Sequence, residues 1–284
     1  LTLDATGNCR RFTCRYHGWS YAQDGSLSNI SYDDWVGDVD RDAWGLVELP
    51  VQEYEGLVFV VETPGEALDV AEYLGDGVTA ILRQLAISGH HQERCRDIPV
   101  DMNWKVAQDG FLDSYHLKFL HPKTVGPYFS PISAYDQMGR HARWVTARTA
   151  IDEIRDRPPG EVSLDRYVIQ GTFMFPNTTL VAQPDHFEMW TFLPDAADPT
   201  RSRAVIRFLT PEPSVTEAAR AMWDKNYRIL MSAVENEDLP VGESIQSTAA
   251  APGAGELVLG RNEMANQHFH REMRIALDLA ATAP

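Results

Sequence analysis

Three stretches past the middle of the chain, residues 166–174, 178–193 and 203–210, have the β-branched and aromatic density of strands. The separators between them, Phe175-Pro176-Asn177 and residues 194–200, are rich in turn formers. Strands joined by such short turns pair antiparallel, so this region is predicted to form a meander. Pro211 and Pro213 close it. Residues 215–238 then adopt the helical period of a long amphipathic segment, with Ser214 placed as its N-cap. A meander followed by a long helix suits a sheet that grips a helix over an apolar cavity.

The flanking segments fit the same class. Residues 1–63 read as short strands joined by turns: 11–15, 18–22, a hairpin signal at Asp24-Gly25, and the apolar run 56–62. Thr63-Pro64-Gly65 closes that run and is taken as a boundary between domains 1–65 and 66–284. Residues 67–87 recur at helical intervals, interrupted at Gly75-Asp76-Gly77. A polar stretch, 88–97, and a strand-like 98–103 follow. Residues 104–120 contain no proline, repeat helically and end before Pro122. A Gly/Ala/Pro-rich loop at 249–255 precedes a last helix, 262–280. The order β, α, β-meander, α indicates an α+β fold.

Charge and cysteine content exclude several function classes. Across 284 residues, 41 Asp+Glu face 25 Lys+Arg, a net charge of −16, which argues against a nucleic-acid or anionic-membrane partner. No apolar run approaches the roughly 18 residues of a membrane-spanning helix. Three cysteines, Cys9, Cys14 and Cys95, are too few for a disulfide scaffold and fit a reducing, cytoplasmic compartment. The chain begins with Leu1 rather than Met and enters strand-like sequence at once, so it reads as part of a longer, N-terminally truncated protein.

Three segments carry chemistry. Cys14-Arg-Tyr-His17-Gly18-Trp19 sets a thiol and an imidazole three positions apart on a tight turn, where both can point at one metal. The same spacing also suits a buried thiol beside a capping histidine, since a metal site needs a second pair. In Asn103-Trp104-Lys105 through Asp113-Ser-Tyr-His116 and His121, Asp113 and His116 share a helical face, and Asp113 can fix the tautomer of a ligating His116. His116 and His121 lie about 140° apart on an ideal helix and can reach one metal between their directions. Two histidines bonded to neighbours on a half-buried helix would look alike. Glu235-Asn-Glu237-Asp238, with Glu243 and Gln246 beyond it, is either a solvated acidic helix end or the source of a carboxylate completing a two-His, one-carboxylate face.

Together these residues resemble a known family. Cys14-x-x-His17-Gly-Trp-x-Tyr-x-x-Asp-Gly-x-Leu27 resembles the second half of the Rieske iron–sulfur motif of ring-hydroxylating oxygenases. Asn103-Trp-Lys-x(7)-Asp113-x-Tyr-His116-x(4)-His121 is similar to the iron-binding segment of their catalytic subunit, and Asp238-x(4)-Glu243-x-x-Gln246 to the segment that gives the third ligand. The resemblance implies a partial all-β Rieske domain followed by an antiparallel-sheet, helix-grip catalytic domain of the START/Bet v 1-like kind. It implies that Cys14 and His17 are two of four ligands of a [2Fe–2S] cluster, and that His116, His121 and Asp238 hold a mononuclear Fe(II). Asp113 would bridge His116 to His17 of a neighbouring subunit in a homotrimer, with a β subunit as a further partner. A reductase, through a ferredoxin or directly, would carry electrons from a nicotinamide cofactor. O₂ would then hydroxylate, dihydroxylate or oxidatively demethylate an aromatic or related small organic substrate.

Two departures from the family pattern bear on this. The upstream Cys-x-His is absent, so the chain offers two cluster ligands and is not expected to hold a stable cluster. Gln108-Asp109-Gly110 stands where relatives carry Glu-Asn-Phe or similar, which places Gln108 and Asp109 near the substrate pocket. Two other classes are a zinc hydrolase using His116, His121 and a carboxylate, and a non-catalytic small-ligand module. His90-His91 reads as a surface loop, His141 and His186 have no partner pattern, and His268 and His270 face helices or solvent. Leu112, Leu117, Phe173, Phe187 and Met189 are pocket wall or core.

Overall fold

A computed structural model describes residues 1–3, 7–249 and 251–279. The chain divides into two compact units, Leu1–Tyr73 and Leu74–Pro284. The turn at Thr63-Pro64-Gly65 lies inside the first.

In the first unit, β1 (Phe12–Thr13), β2 (Ser20–Tyr21) and β3 (Leu27–Asn29) form a three-stranded antiparallel sheet. The β2–β3 turn is the Asp24-Gly25 hairpin: Asp24 accepts from the Ser26 N–H at 3.0 Å and Gly25 takes a positive φ of 85°. A short helix α1 (Asp33–Val36) and a hairpin of β4 (Val51–Tyr54) and β5 (Leu57–Val60) complete it. Helix α2 (Val70–Leu85) begins in the first unit and continues into the second, and carries the expected interruption, with Gly75 at φ 69°, ψ 170°.

The second unit is built on a seven-stranded antiparallel sheet. Its strands are β6 (His91–Val100), β7 (Phe129–Met138), β8 (His141–Arg148), β9 (Val168–Met174), β10 (Thr178–Ala182), β11 (Phe187–Pro194) and β12 (Ser202–Thr210). Their order is β6-β12-β11-β10-β9-β8-β7, so β7 to β12 form one continuous meander and β6 adds to its far edge. Between β6 and β7 lie α3 (Trp104–Leu112) and α4 (Leu117–Leu120); after the sheet come α5 (Glu217–Ala233), α6 (Leu239–Ala249) and α7 (Met264–Ala276). Trp190, Phe192 and Ile206 of the sheet pack with Ala107 of α3, Met231 of α5 and Leu239 of α6 in the main core. A second cluster joins Phe173, Phe175 and Ala142 to Leu112 and to Phe269 of α7. Burying such side chains is worth roughly 1.5–3 kcal/mol each.

The structure corrects several sequence expectations, each for a local reason. The helix expected over 104–120 stops at Leu112, because the Asp113 carboxylate takes the N–H groups of Tyr115 (2.5 Å) and His116 (3.2 Å) and so replaces the helical pairing. The segment 178–193 is two strands, turned at Pro184-Asp185 with the Gln183 N–H on the His186 carbonyl at 2.9 Å. The cap of α5 is Thr216, whose Oγ1 accepts from the Ala219 N–H at 3.1 Å; Ser214 bonds to Glu93 instead. The polar stretch 88–97 is mostly strand, and His91 opens β6 rather than a loop. As an edge strand β6 keeps exposed polar residues that break the apolar pattern. The last helix ends at Ala276, and residue 280 of the expected span lies outside the described residues. Strands β7 and β8 had no sequence signal.

Candidate metal centre and its cavity

His116 and His121 flank the one-turn helix α4, His116 as its N-cap and His121 as its C-cap. The break after α3 is what separates them from a regular helical register. It turns Asp113 onto His116, with Asp113 Oδ2 3.1 Å from His116 Nδ1. The loop after α4 folds back tightly: the Gly126 N–H reaches the His121 carbonyl at 2.9 Å, and a Cβ on Gly126 would sit 2.5 Å from that same oxygen. Glycine is required there by close backbone approach.

The carboxylate side comes from the end of α5. Its last turn widens into a π-helix, Val234–Asp238, the type of bulge that recurs at functional sites. Adjacent residues on an α-helix point about 100° apart; here both Glu237 and Asp238 reach the histidines. Asp238 Oδ1 lies 3.0 Å from His121 Nε2 and 3.6 Å from His116 Nε2. Glu237 Oε2 lies 2.7 Å from His121 Nδ1 and accepts from the Thr124 hydroxyl at 2.5 Å. Among the described residues, His116, His121 and Asp238 are the one group whose ligand atoms fall within 4.8 Å of one another. Each imidazole presents Nε2 to the common point while a carboxylate holds its Nδ1, the arrangement that orients a metal-ligating histidine.

The electrostatics follow from this pairing. Burial pulls the His121 pKa down, but Asp238 and Glu237 outweigh it and raise it. Burial raises the Asp113 carboxyl, yet the hydrogen bonds from His116 and the Tyr115 N–H hold it below its ordinary value. Glu237 is likewise lowered by His121 and Thr124 against its desolvation. Two imidazoles and one carboxylate are the donor set of the facial triad that binds non-haem Fe(II) with positions left open. The residues present therefore fit a mononuclear iron.

The three residues open onto a cavity of about 310 Å³, with Phe111, Trp144 and Trp190 among its walls. Trp144 lies across Gly171 of β9, where a Cβ would come within 2.0 Å of the indole. Leu117 lines this cavity, whereas Leu112 and Phe173 belong to the core.

Gln108 and Asp109 are outside the cavity lining, which corrects their placement beside the pocket. Gln108 is fully buried and donates to Thr179 Oγ1 at 2.9 Å; Asp109 points to α7, accepting from Asn266 and His270. Both face away because α3 turns Gly110, Phe111 and Asp113 toward the cavity. Glu235 pairs with Arg96, and Glu243 and Gln246 receive the N–H groups of Asp101 and Asn103, so none of them reaches the centre.

Cys14 and His17 lie in the β1–β2 loop, closed by Cys14 N–H to the Trp19 carbonyl (2.8 Å) and Gly18 N–H to the Cys14 carbonyl (2.9 Å). Among the described residues they join no three-ligand group. Two donors do not make up the four a [2Fe–2S] cluster needs. Cys9 and Cys95 are exposed.

A sheet gripping helices over a cavity that holds a two-His, one-carboxylate centre defines a class of non-haem iron proteins. The chain belongs to the ring-hydroxylating alpha subunit family, whose catalytic-domain model matches residues 86–278. It is 32% identical over 115 residues to the benzene 1,2-dioxygenase subunit alpha of Pseudomonas putida, covering 39% of this chain and 25% of that one. It is 26% identical over 272 residues to the chloroplastic choline monooxygenase of Spinacia oleracea, covering 91% of this chain and 58% of that one. These matches thus span less than two thirds of either relative. The fold is shared with the quaternary ammonium Rieske monooxygenase CntA bound to L-carnitine, at TM-score 0.76 and 19% identity over 95% of this chain and 73% of that one. It is also shared with naphthalene 1,2-dioxygenase from Rhodococcus sp., at TM-score 0.71 and 21% identity over 98% and 77%.

Proposed function

We propose that this chain is the catalytic part of a terminal oxygenase, in which His116, His121 and Asp238 hold a mononuclear Fe(II) beside a buried organic substrate. The observation that carries this reading is the convergence of the three residues at the wall of one cavity. Enzymes of this family generally use non-haem iron and a Rieske [2Fe–2S] cluster, and work as oligomers with reductase or ferredoxin partners. When bound, the iron supplies the activation of O₂ for insertion into the substrate. The chain's own residues prepare that site. Asp113 and Glu237 hold the Nδ1 positions of the two histidines, and Asp238 faces both Nε2 atoms. Phe111, Trp144 and Trp190 give the cavity apolar walls against which an organic substrate can pack.

On this reading the substrate is an aromatic or related small organic molecule, and the product is a cis-diol, a hydroxylated ring or a demethylated amine or ether. Electrons come from NAD(P)H through a reductase, with or without a ferredoxin. Asp113 has the further role of linking His116 to the Rieske histidine of a neighbouring subunit in a homotrimer, with Cys14 and His17 as half of the cluster's ligand set. No helix of the described residues is long and apolar enough to cross a membrane, and the reading places the protein in the cytoplasm. The test is a substrate-depletion screen on the complete protein with a surrogate reductase, run beside metal analysis. Iron-dependent O₂ consumption coupled to substrate loss supports the reading, and zinc without iron contradicts it.

A further inference from the structure

The same cavity has a second polar wall that the metal centre does not use. Glu188 and Trp190 leave one face of β11, and His186 immediately precedes the strand; all three line the cavity. Asp185 stands at the turn before them. His186 Nδ1 is 2.6 Å from Asp185 Oδ1, and its Nε2 is 3.3 Å from Glu188 Oε1. Glu188 also accepts from Gln183 Nε2 and Trp190 Nε1, each at 3.3 Å, and Asp185 accepts from Asn226 at 3.2 Å. Glu188 is 6% exposed and His186 8%.

The charges of this wall do not cancel. Burial pulls the His186 pKa down, but the hydrogen bonds and charges of Asp185 and Glu188 prevail and push it up to about 9. At neutral pH two carboxylates therefore surround one imidazolium, leaving one net negative charge. Both imidazolium N–H groups are spent on the carboxylates, so His186 has none to offer an anion. Gln183 and Asn226 each turn an amide N–H to these carboxylates, so the charged hydrogen-bonding capacity left at the wall is carboxylate lone pairs. Trp190 and Phe111, with ring centroids 4.2 Å apart, stand beside it and suit a cation's flank. The other carboxylates of the lining, Asp113 and Asp238, are taken by histidines. Arg148, the one Lys or Arg of the lining, sits over the Phe129 ring at 5.7 Å. The buried imidazolium and the Glu188 carboxylate offset each other, so the surplus negative charge sits at the half-exposed Asp185; a cation against this wall compensates it, whereas a hydrocarbon leaves it to solvent alone.

We propose that Asp185, His186 and Glu188 form the specificity-determining subsite of the cavity, and that it takes a protonated amine carried on an apolar body. This rests on the reading of the cavity as the substrate site. The test is anaerobic calorimetric titration of the Fe(II)-loaded chain with benzylamine, benzyl alcohol, toluene and benzoate, repeated on Glu188→Gln. Benzylamine binds tightest, and Glu188→Gln weakens it by about tenfold or more, the worth of a lost charge-assisted bond, while toluene changes less than about twofold. Asp185→Asn, at the half-exposed end of the cluster, weakens benzylamine in the same direction and serves if Glu188→Gln melts at ambient temperature. Toluene or benzoate binding as tightly as benzylamine, or an amine preference that survives both substitutions, overturns the proposal. Iron loading with no probe bound also overturns it and leaves the metal reading standing. Amine selectivity in a chain that loads no iron supports the subsite and refutes the oxygenase reading.

Discussion

The Asp185–His186–Glu188 network makes stability depend on pH in a window set by its geometry. His186 has an ordinary pKa of 6.5, which the folded protein raises to about 9. A group whose folded value is raised stabilises the fold fully below its unfolded value and loses that contribution as pH rises through the folded one. The contribution is thus complete below pH 6.5 and is lost between there and about 9. At about 1.4 kcal/mol for each tenfold change in proton affinity it amounts to roughly 3 kcal/mol, and His186 is buried enough that solvent screening does not erase it. Asp185 sets the acid side: its pKa is lowered by the hydrogen bond from His186, so its share is lost as pH falls through a value below 3.8. Urea unfolding of the wild type and of His186→Gln, measured every half unit from pH 6 to 10, isolates the effect, because every other titrating group is common to both. The stability difference is expected to shrink by about 3 kcal/mol across that range. A difference that stays flat, or grows with pH, would refute the charge assignment on which the cavity's second wall depends.

Other perturbations test other parts of the site. Glu237→Ala removes the acceptor of both His121 Nδ1 and Thr124 and is expected to lower Fe(II) affinity about 10–100-fold in competition titrations; Glu237→Gln, which keeps one acceptor, loses less. Asp113→Asn is expected to retain iron while uncoupling cluster oxidation from product formation in single-turnover assays of the assembled oxygenase; unchanged coupling rejects the bridging role. Gly171→Ala places a Cβ within 2.0 Å of the Trp144 indole. It is expected to cost about 1–3 kcal/mol in thermal unfolding and to weaken ligand binding in the cavity by displacing its wall.

The parts of this protein legible in sequence are those where one local rule dominates. Pro176 and the turn-rich 194–200 marked the meander, and Gly75 marked the break in α2, because those residues limit backbone geometry wherever they stand. The spacing of Asp113, His116 and His121 survived although the helix beneath them did not: Asp113 ends α3 with its own side chain and still reaches His116. What sequence could not show depends on tertiary placement. Glu237 lies next to Asp238, and on a regular helix the two would diverge; the π-turn that brings both to the histidines has no sequence signature. His186 had no visible partner because Asp185 and Glu188 become its partners only once the β10–β11 turn is made. Gln108 and Asp109 were placed beside the pocket by their neighbours in sequence, and the rotation of α3 aims them elsewhere.

The central claim is that His116, His121 and Asp238 hold one iron. Anaerobic Fe(II) titration of the wild-type chain, of Asp238→Ala and of Glu235→Ala tests it most directly. The account predicts one tightly held iron per wild-type chain, retained in Glu235→Ala and lost in Asp238→Ala with the fold intact by circular dichroism. Wild-type affinity in Asp238→Ala would contradict it.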